Sequence, residues 1–129
     1  MELGPKQKEW IKSLRENPER QDRGGLGFKN KDGTYTACCL GELHCVMNGG
    51  VDNVVDEMGV IIDYDSERAL FESYNKYGLL SGEGDLRNKI VLEGEVIYSL
   101  AKLNDSYWTW AQIADYVEAN PENVFNKSY

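Results

Sequence analysis

The sequence predicts a single α+β domain in which four or five short helices surround a small antiparallel sheet. Three observations lead to this fold class: segments with apolar residues at helical spacing, a pair of strand-like segments joined by a short loop, and a length of 129 residues, typical of one domain. Apolar residues make up 41% of the chain, which is enough for a packed core. We therefore expect residues 1–129 to fold as one unit.

The N-terminal third is predicted to form a helix followed by a hairpin. Pro5 favours the first turn of a helix, Trp10 and Leu14 are spaced to lie on its apolar side, and the pair that ends in Pro18 should terminate it. Residues 26–38 then predict a hairpin, because two strand-like runs flank a short polar loop that contains glycine.

A second helix is predicted to start at Cys39. Cys39, Leu43, Val46 and Met47 lie on one face at helical spacing, and 48–50 is an Asn-Gly-Gly sequence that tolerates a left-handed end to the helix. We expect this helix to be buried along that one face.

The middle of the chain has weaker patterns. Residues 51–64 fit a helix in their first half and a strand in their second, so both structures stay open there. Asp65 or Ser66 then caps a predicted helix that ends at Gly78. A glycine-rich loop is expected at 79–85.

The C-terminal third is predicted to contain a strand and two helices. Residues 89–92 favour the strand, and the apolar positions in 96–105 repeat with helical spacing. Thr109 followed by Gln112 forms a capping box, which predicts a final helix that ends at Asn120.

The apolar faces of these elements should meet in one core. Its predicted members are Trp10, Leu14, Cys39, Leu43, Val46, Leu70, Leu100, Leu103, Ile113 and Val117.

Charge is distributed unevenly along the chain, whose net charge is −8. Residues 1–31 carry +3 and residues 32–129 carry −11, and no Lys or Arg occurs in 32–67. This pattern argues against direct nucleic-acid binding, which depends on basic side chains. The acidic stretch is either a solvated surface that aids solubility or a docking face for a basic protein. The side chains assigned to that face are Asp52, Asp56, Glu57, Asp63 and Asp65.

The sequence predicts no metal site, no cofactor and no catalytic group. Residues 38–45 contain three thiols and an imidazole, yet neighbouring positions on a helix diverge by about 100° and the paired spacing of a zinc site is absent. A nucleophilic pair of Cys39 and His44 is disfavoured for the same reason. A calcium-loop-like start at Asp63 fails because Arg68 stands where the loop needs glycine. Buried, reduced cysteines are the simpler expectation, since the start of the chain lacks a secretory signal.

Four groups of residues together resemble a family of small phage and prophage proteins of unassigned function. They are Trp10-Ile11 with Leu14; Gln21, Arg23 and Leu26; Cys38-Cys39-Leu40-Gly41; and Leu100 and Leu103-Asn104-Asp105 followed by Ile113-Ala114-Asp115. The family pairs a Trp-Ile opening with a Tyr-Cys-Cys-Leu-Gly motif and later Leu-Asn-Asp and Ile-Ala-Asp motifs. One departure is that His44 occupies the position of the family's third cysteine. The resemblance implies a phage-encoded protein in the cytosol of a bacterial host, without implying an activity.

Two functions follow as hypotheses. The first is a non-enzymatic, acidic accessory protein of a phage that binds a basic surface of a host enzyme or defence component and inhibits or modulates it; homo-oligomerisation stays open. The alternative is a nucleotide-type small-molecule site, or a minor enzyme, near the hairpin and the turn at 104–105. Its side chains would be Arg20, Gln21, Arg23, Tyr35, Asn104 and Asp105. The same residues also fit ordinary turns and local charge balance.

Overall fold

A computed structural model describes residues 1–61 and 77–129, and in these ranges it confirms the predicted α+β class. Five helices and two separate two-stranded antiparallel sheets are present there, rather than one sheet. The helices are α1 (Pro5–Glu16), α2 (Cys39–Met47), α3 (Leu100–Ser106), α4 (Trp110–Ala119) and α5 (Pro121–Val124). The strands are β1 (Gly27–Lys29), β2 (Tyr35–Ala37), β3 (Asp85–Leu92) and β4 (Glu95–Ser99). No helix within the two ranges is both long and apolar enough to cross a membrane.

Helix α1 begins at Pro5 and ends before Pro18, as the sequence predicts. Its first turn is closed by Gln7, whose Oε1 accepts a hydrogen bond from the backbone N–H of Gly4 at 2.9 Å. The same amide donates through Nε2 to the carbonyl oxygen of Lys127 at 2.9 Å. Gln7 therefore caps the helix and ties it to the C-terminal segment.

The predicted hairpin is confirmed as β1 and β2, with Phe28 opposite Thr36. The other edge of β1 pairs with the segment 59–61, where Phe28 lies opposite Val60. Of the segment 51–64, for which helix and strand stayed open, residues 51–61 form a short 3-10 turn and a tight loop that returns along β1. Residues 62–64 lie outside the described residues.

Helix α2 starts at Cys39 and ends at Met47, as predicted. The prediction that only one of its faces is buried is wrong, because the helix packs against α1, α3 and β2. Leu40 and Cys45, which lie outside the predicted face, are buried as well as Met47, which belongs to it, whereas Val46 is only partly buried. Helix α2 is therefore the central element of the described structure.

The predicted helix over 96–105 is corrected at its start. Val96 lies in β4, opposite Val91 of β3, and α3 begins only at Leu100. Ser99 marks the boundary, since its Oγ accepts a hydrogen bond from the N–H of Lys102 at 3.2 Å. Cross-strand pairing of the β-branched side chains outweighs the helical spacing that Val96 shares with Leu100.

The final predicted helix is confirmed as α4, with the Thr109–Gln112 capping box in place.

Eight of the ten predicted core residues are buried; Val46 is partly buried and Leu70 lies outside the described residues. The helix predicted from Asp65 or Ser66 also lies mostly outside them. Trp110 and Phe125, which complete the core, have no exposed surface.

Candidate functional site

Four of the six predicted ligand residues belong to one hydrogen-bonded cluster around Asn104, which has no exposed surface. Asn104 Oδ1 accepts from the backbone N–H of Cys39 at 3.0 Å and from Trp110 Nε1 at 3.1 Å. Gln21 Nε2 donates to the carbonyl oxygen of Trp108 at 2.9 Å, and its Oε1 accepts from the N–H of Trp110 at 3.1 Å. The cluster joins the starts of α2 and α4 to the end of α3.

Arg23 and Asp105 extend this cluster to the loop before β1. Arg23 Nη1 donates to the carbonyl oxygen of Asn104 at 2.8 Å, and Asp105 Oδ1 accepts from the N–H of Gly24 at 3.1 Å. Asn104 Nδ2 donates to the carbonyl oxygen of Asp22 at 2.7 Å. These hydrogen bonds within the protein hold the loop and the helix together.

The remaining two predicted ligand residues, Arg20 and Tyr35, belong to a second cluster around a buried carboxylate. Glu42 on α2 is 2% exposed, and its carboxylate accepts hydrogen bonds from Tyr35 Oη at 2.9 Å and from Ser13 Oγ at 2.8 Å. The guanidinium of Arg20 lies 4.5 Å from the centre of the Tyr35 ring and also donates to its hydroxyl. Burial, with a smaller contribution from the charge of Glu42, raises the pKa of Tyr35, so its phenol stays protonated.

Sequence reasoning placed Glu42 on the acidic stretch and did not select Ser13. One signal was present: Glu42 is the only carboxylate in α2, whose other residues are mostly apolar, and a buried carboxylate needs hydrogen-bond donors from neighbouring elements. The side chains that donate hydrogen bonds to Glu42 are set by how α1 and the hairpin pack against α2. The spacing of residues along a single element does not reveal this packing.

Arg20 and Tyr35 line a concave surface of about 530 Å³ beside the hairpin. The other lining residues are Glu19, Asn30, Asp32, Gly33, Thr34 and Thr36. Hydroxyl and amide groups there suit a polar ligand, yet the carboxylates of Glu19 and Asp32 outnumber the single guanidinium and disfavour a phosphate.

The three cysteines, Cys38, Cys39 and Cys45, are all buried and unpaired with one another in disulfides. Burial raises the pKa of each thiol. For Cys45, burial and the nearby charge of Glu42 raise the pKa to about 12. Within 1–61 and 77–129, no group of three or more His, Cys, Asp or Glu side chains is arranged to hold a metal ion.

We expect the thiols to be unreactive in the folded protein. At pH 8, a thiol with a pKa near 12 is ionised to only about 10⁻⁴, and the thiolate is the nucleophile. Alkylation by iodoacetamide should therefore be at least about a hundredfold slower in buffer than in denaturant. Mass spectrometry of the labelled protein measures this difference, and rapid native labelling of Cys45 would contradict its placement.

The structure describes three of the five residues of the predicted acidic face. Asp52, Asp56 and Glu57 are exposed on the loop between α2 and the segment that pairs with β1; we call these three residues the acidic loop. Lys29 of β1 forms an ion pair with Asp52, so the local charge is smaller than the sequence alone predicts. Asp63 and Asp65 lie outside the described residues.

No protein-family model, curated protein or solved structure matches this chain. The resemblance to small phage proteins therefore stays a prediction from the motifs at 38–41 and 103–105.

Proposed function

We propose that the protein is a phage-encoded accessory protein that acts by binding in the cytosol of a bacterial host, where it inhibits or modulates a host enzyme or defence component. The observation that carries the binding role is the acidic loop, which presents three carboxylates to solvent at one place on the fold. The phage origin rests on the resemblance of the Cys-Cys-Leu-Gly and Leu-Asn-Asp motifs.

The acidic loop fits a partner with a basic surface. Opposite charges steer two proteins together over about the Debye length, which is about 8 Å at physiological ionic strength. Asp56 is also held in place, because its Oδ1 accepts from the N–H of Met58 at 2.9 Å and of Val60 at 3.0 Å. A carboxylate fixed by its own turn loses little conformational freedom on binding.

The geometry supports the small-molecule alternative less well. Gln21, Arg23, Asn104 and Asp105 are committed to contacts between helices and loop. Arg20 and Tyr35 of the predicted set line a concave surface, and its two carboxylates repel a nucleotide phosphate.

The binding role is tested by reversing charge on the acidic loop. Asp52→Lys with Glu57→Lys should abolish capture of a bacterial protein that the wild type retains at low salt, because both changes replace attraction by repulsion. Asp56 is left unchanged since it forms the turn. Pull-down from bacterial lysate with quantitative mass spectrometry measures the enrichment.

The matched control variant has the same change in net charge, made at two carboxylates outside the acidic loop. Glu9→Lys on α1 with Glu83→Lys in the loop before β3 alters two exposed carboxylates and should leave capture intact. If no protein distinguishes the two double variants, the acidic loop does not bind a partner.

A further inference from the structure

The hairpin formed by β3 and β4 has one exposed apolar face. Val91 is 65% exposed, Val96 is 40% exposed and Tyr98 is 57% exposed; we call these three residues the hairpin face. Val91 lies directly opposite Val96, and Tyr98 follows Val96 by two positions, so all three side chains project from the same side. Ile97, which alternates with them, has no exposed surface. An apolar surface of this kind favours contact with another polypeptide.

The turn of this hairpin determines which backbone groups of β4 point away from β3. Glu93 and Gly94, which join the strands, have φ angles of 52° and 80°, as in a type I′ turn. In such a hairpin the residues that flank the turn exchange hydrogen bonds, and the next pair along the strands does not. The N–H and C=O groups of Val96 and Tyr98 therefore point to the outer edge of β4.

The outer edge of β4 is uncovered in the described part of the chain, where β3 is the one strand that pairs with it and no other group bonds to its backbone. The other strand is obstructed. Pairing of β3 is irregular between Asp85 and Ile90, and Asn123 of α5 hydrogen-bonds to both the N–H and the C=O of Asn88. β4 contains neither a proline nor a bulge, which are features that keep edge strands from pairing. A further strand can therefore add to β4.

We propose that two copies of this chain pair through the outer edges of β4, in one antiparallel sheet of order β3-β4-β4-β3 with a two-fold axis beside Ile97. Val96 and Tyr98 lie symmetrically on either side of Ile97. The axis sets Val96 opposite Tyr98 of the second copy, and the two residues exchange both backbone hydrogen bonds. A β-branched side chain opposite an aromatic one is a favourable cross-strand pair. β4 is thus complementary to itself, which selects a second copy as the occupant.

This pairing joins the two hairpin faces without opposing like charges. Residues opposite each other project from the same side, so the two apolar surfaces become continuous. Lys89, whose Nζ lies 5.4 Å from the centre of the Tyr98 ring, belongs to the outer strand of each copy. Glu95 is the one charged residue of β4, and it lies opposite Ser99 of the second copy. The two Glu95 residues are about 14 Å apart, beyond the Debye length.

Sedimentation equilibrium of the purified chain tests the proposal. The edge of one short strand buries less surface than the about 1,200 Å² of a standard interface, so we expect a weak dimer with a dissociation constant of about 10–100 µM. Its affinity should rise as salt is added, because two copies of net charge −8 repel each other. Binding of a basic partner to the acidic loop has the opposite salt dependence, so the two interactions are distinguishable.

Proline at two opposite positions provides a matched pair of variants. The N–H of Val96 points away from β3, so Val96→Pro keeps the hairpin but removes one donor per copy from the interface. We expect dimerisation to weaken at least about tenfold. Val91→Pro makes the same change directly opposite, where the N–H points to the outer side of β3, and should leave the dissociation constant nearly unchanged.

A third variant does not alter the backbone. Tyr98→Ser removes the aromatic half of the cross-strand pair and should weaken dimerisation about tenfold. Because Tyr98 is more than half exposed, its thermal midpoint should stay close to that of the wild type. Circular dichroism checks that each variant is folded.

The outcomes separate self-pairing from other arrangements. A chain that stays monomeric up to about 1 mM would overturn the inference. A dimer that Val96→Pro and Tyr98→Ser leave intact, or that Val91→Pro weakens equally, would also overturn it. If a monomeric chain captures a lysate protein that Val91→Pro retains and Val96→Pro loses, the occupant of the edge is a strand of another protein. The acidic loop is unchanged in all these variants, so the proposed function is tested separately.

Discussion

Replacing Asn104 with alanine is expected to destabilise the protein by about 3–5 kcal/mol. The side chain has no exposed surface, and its removal leaves the N–H of Cys39 and the indole N–H of Trp110 without their acceptor. Each buried donor left without an acceptor costs about 1–3 kcal/mol, and the carbonyl oxygen of Asp22 also loses its donor. Urea denaturation followed by circular dichroism measures the loss.

Asn30→Ala is the matched control, because Asn30 is exposed and its side chain donates a local hydrogen bond to Thr34 Oγ1. We expect it to change the free energy of unfolding by less than about 0.5 kcal/mol. Equal effects of the two substitutions would show that the Asn104 cluster does not join the helices.

The second large effect is expected for Gly41→Ala in the first turn of α2. A Cβ at this position would lie 1.9 Å from the carbonyl oxygen of Leu26, a backbone atom that cannot move without displacing the start of β1. Alanine gains about 1 kcal/mol of helix propensity over glycine, but such a collision typically costs about 1–3 kcal/mol or more. The cost of the collision should exceed the gain in helix propensity. We expect the free energy of unfolding to fall by about 2 kcal/mol and the midpoint of thermal unfolding to decrease.

Gly25→Ala provides the comparison, since a Cβ there meets no atom within 4 Å. Its midpoint should stay within about 1–2 °C of the wild type. A neutral Gly41→Ala variant would mean that α2 and the loop before β1 are farther apart than the structure places them.

Local sequence patterns predicted those helices and strands whose ends are determined by residues nearby in the sequence. Pro5, the Thr109–Gln112 capping box and the glycine-containing loop of 26–38 each act within a few residues. The boundary at Val96 was missed because its assignment depends on Val91, which lies across the hairpin. The burial of α2 on all sides was also missed, since it depends on α1, α3 and β2 packing around it.

Sequence reasoning singled out these polar residues as candidate ligand groups, but their hydrogen-bond partners within the protein were not visible in the sequence. Gln21 and Asn104 are 83 positions apart, and their contact depends on how the segment before β1 lies against the end of α3. The chemistry of an amide predicts hydrogen bonds without specifying whether a ligand or the protein supplies them. The same holds for Glu42, whose donors come from α1 and β2.

The Asn104 cluster also has a kinetic consequence. Its hydrogen bonds close loops of 65 residues to Cys39 and 83 residues to Gln21, and the entropy of closing such loops must be overcome before the contacts contribute. We expect the segment around Gln21 to join the folded structure after α2 and α3 have packed. Loss of the cluster should then accelerate unfolding more than it slows folding, so the cluster sets the lifetime of the native state.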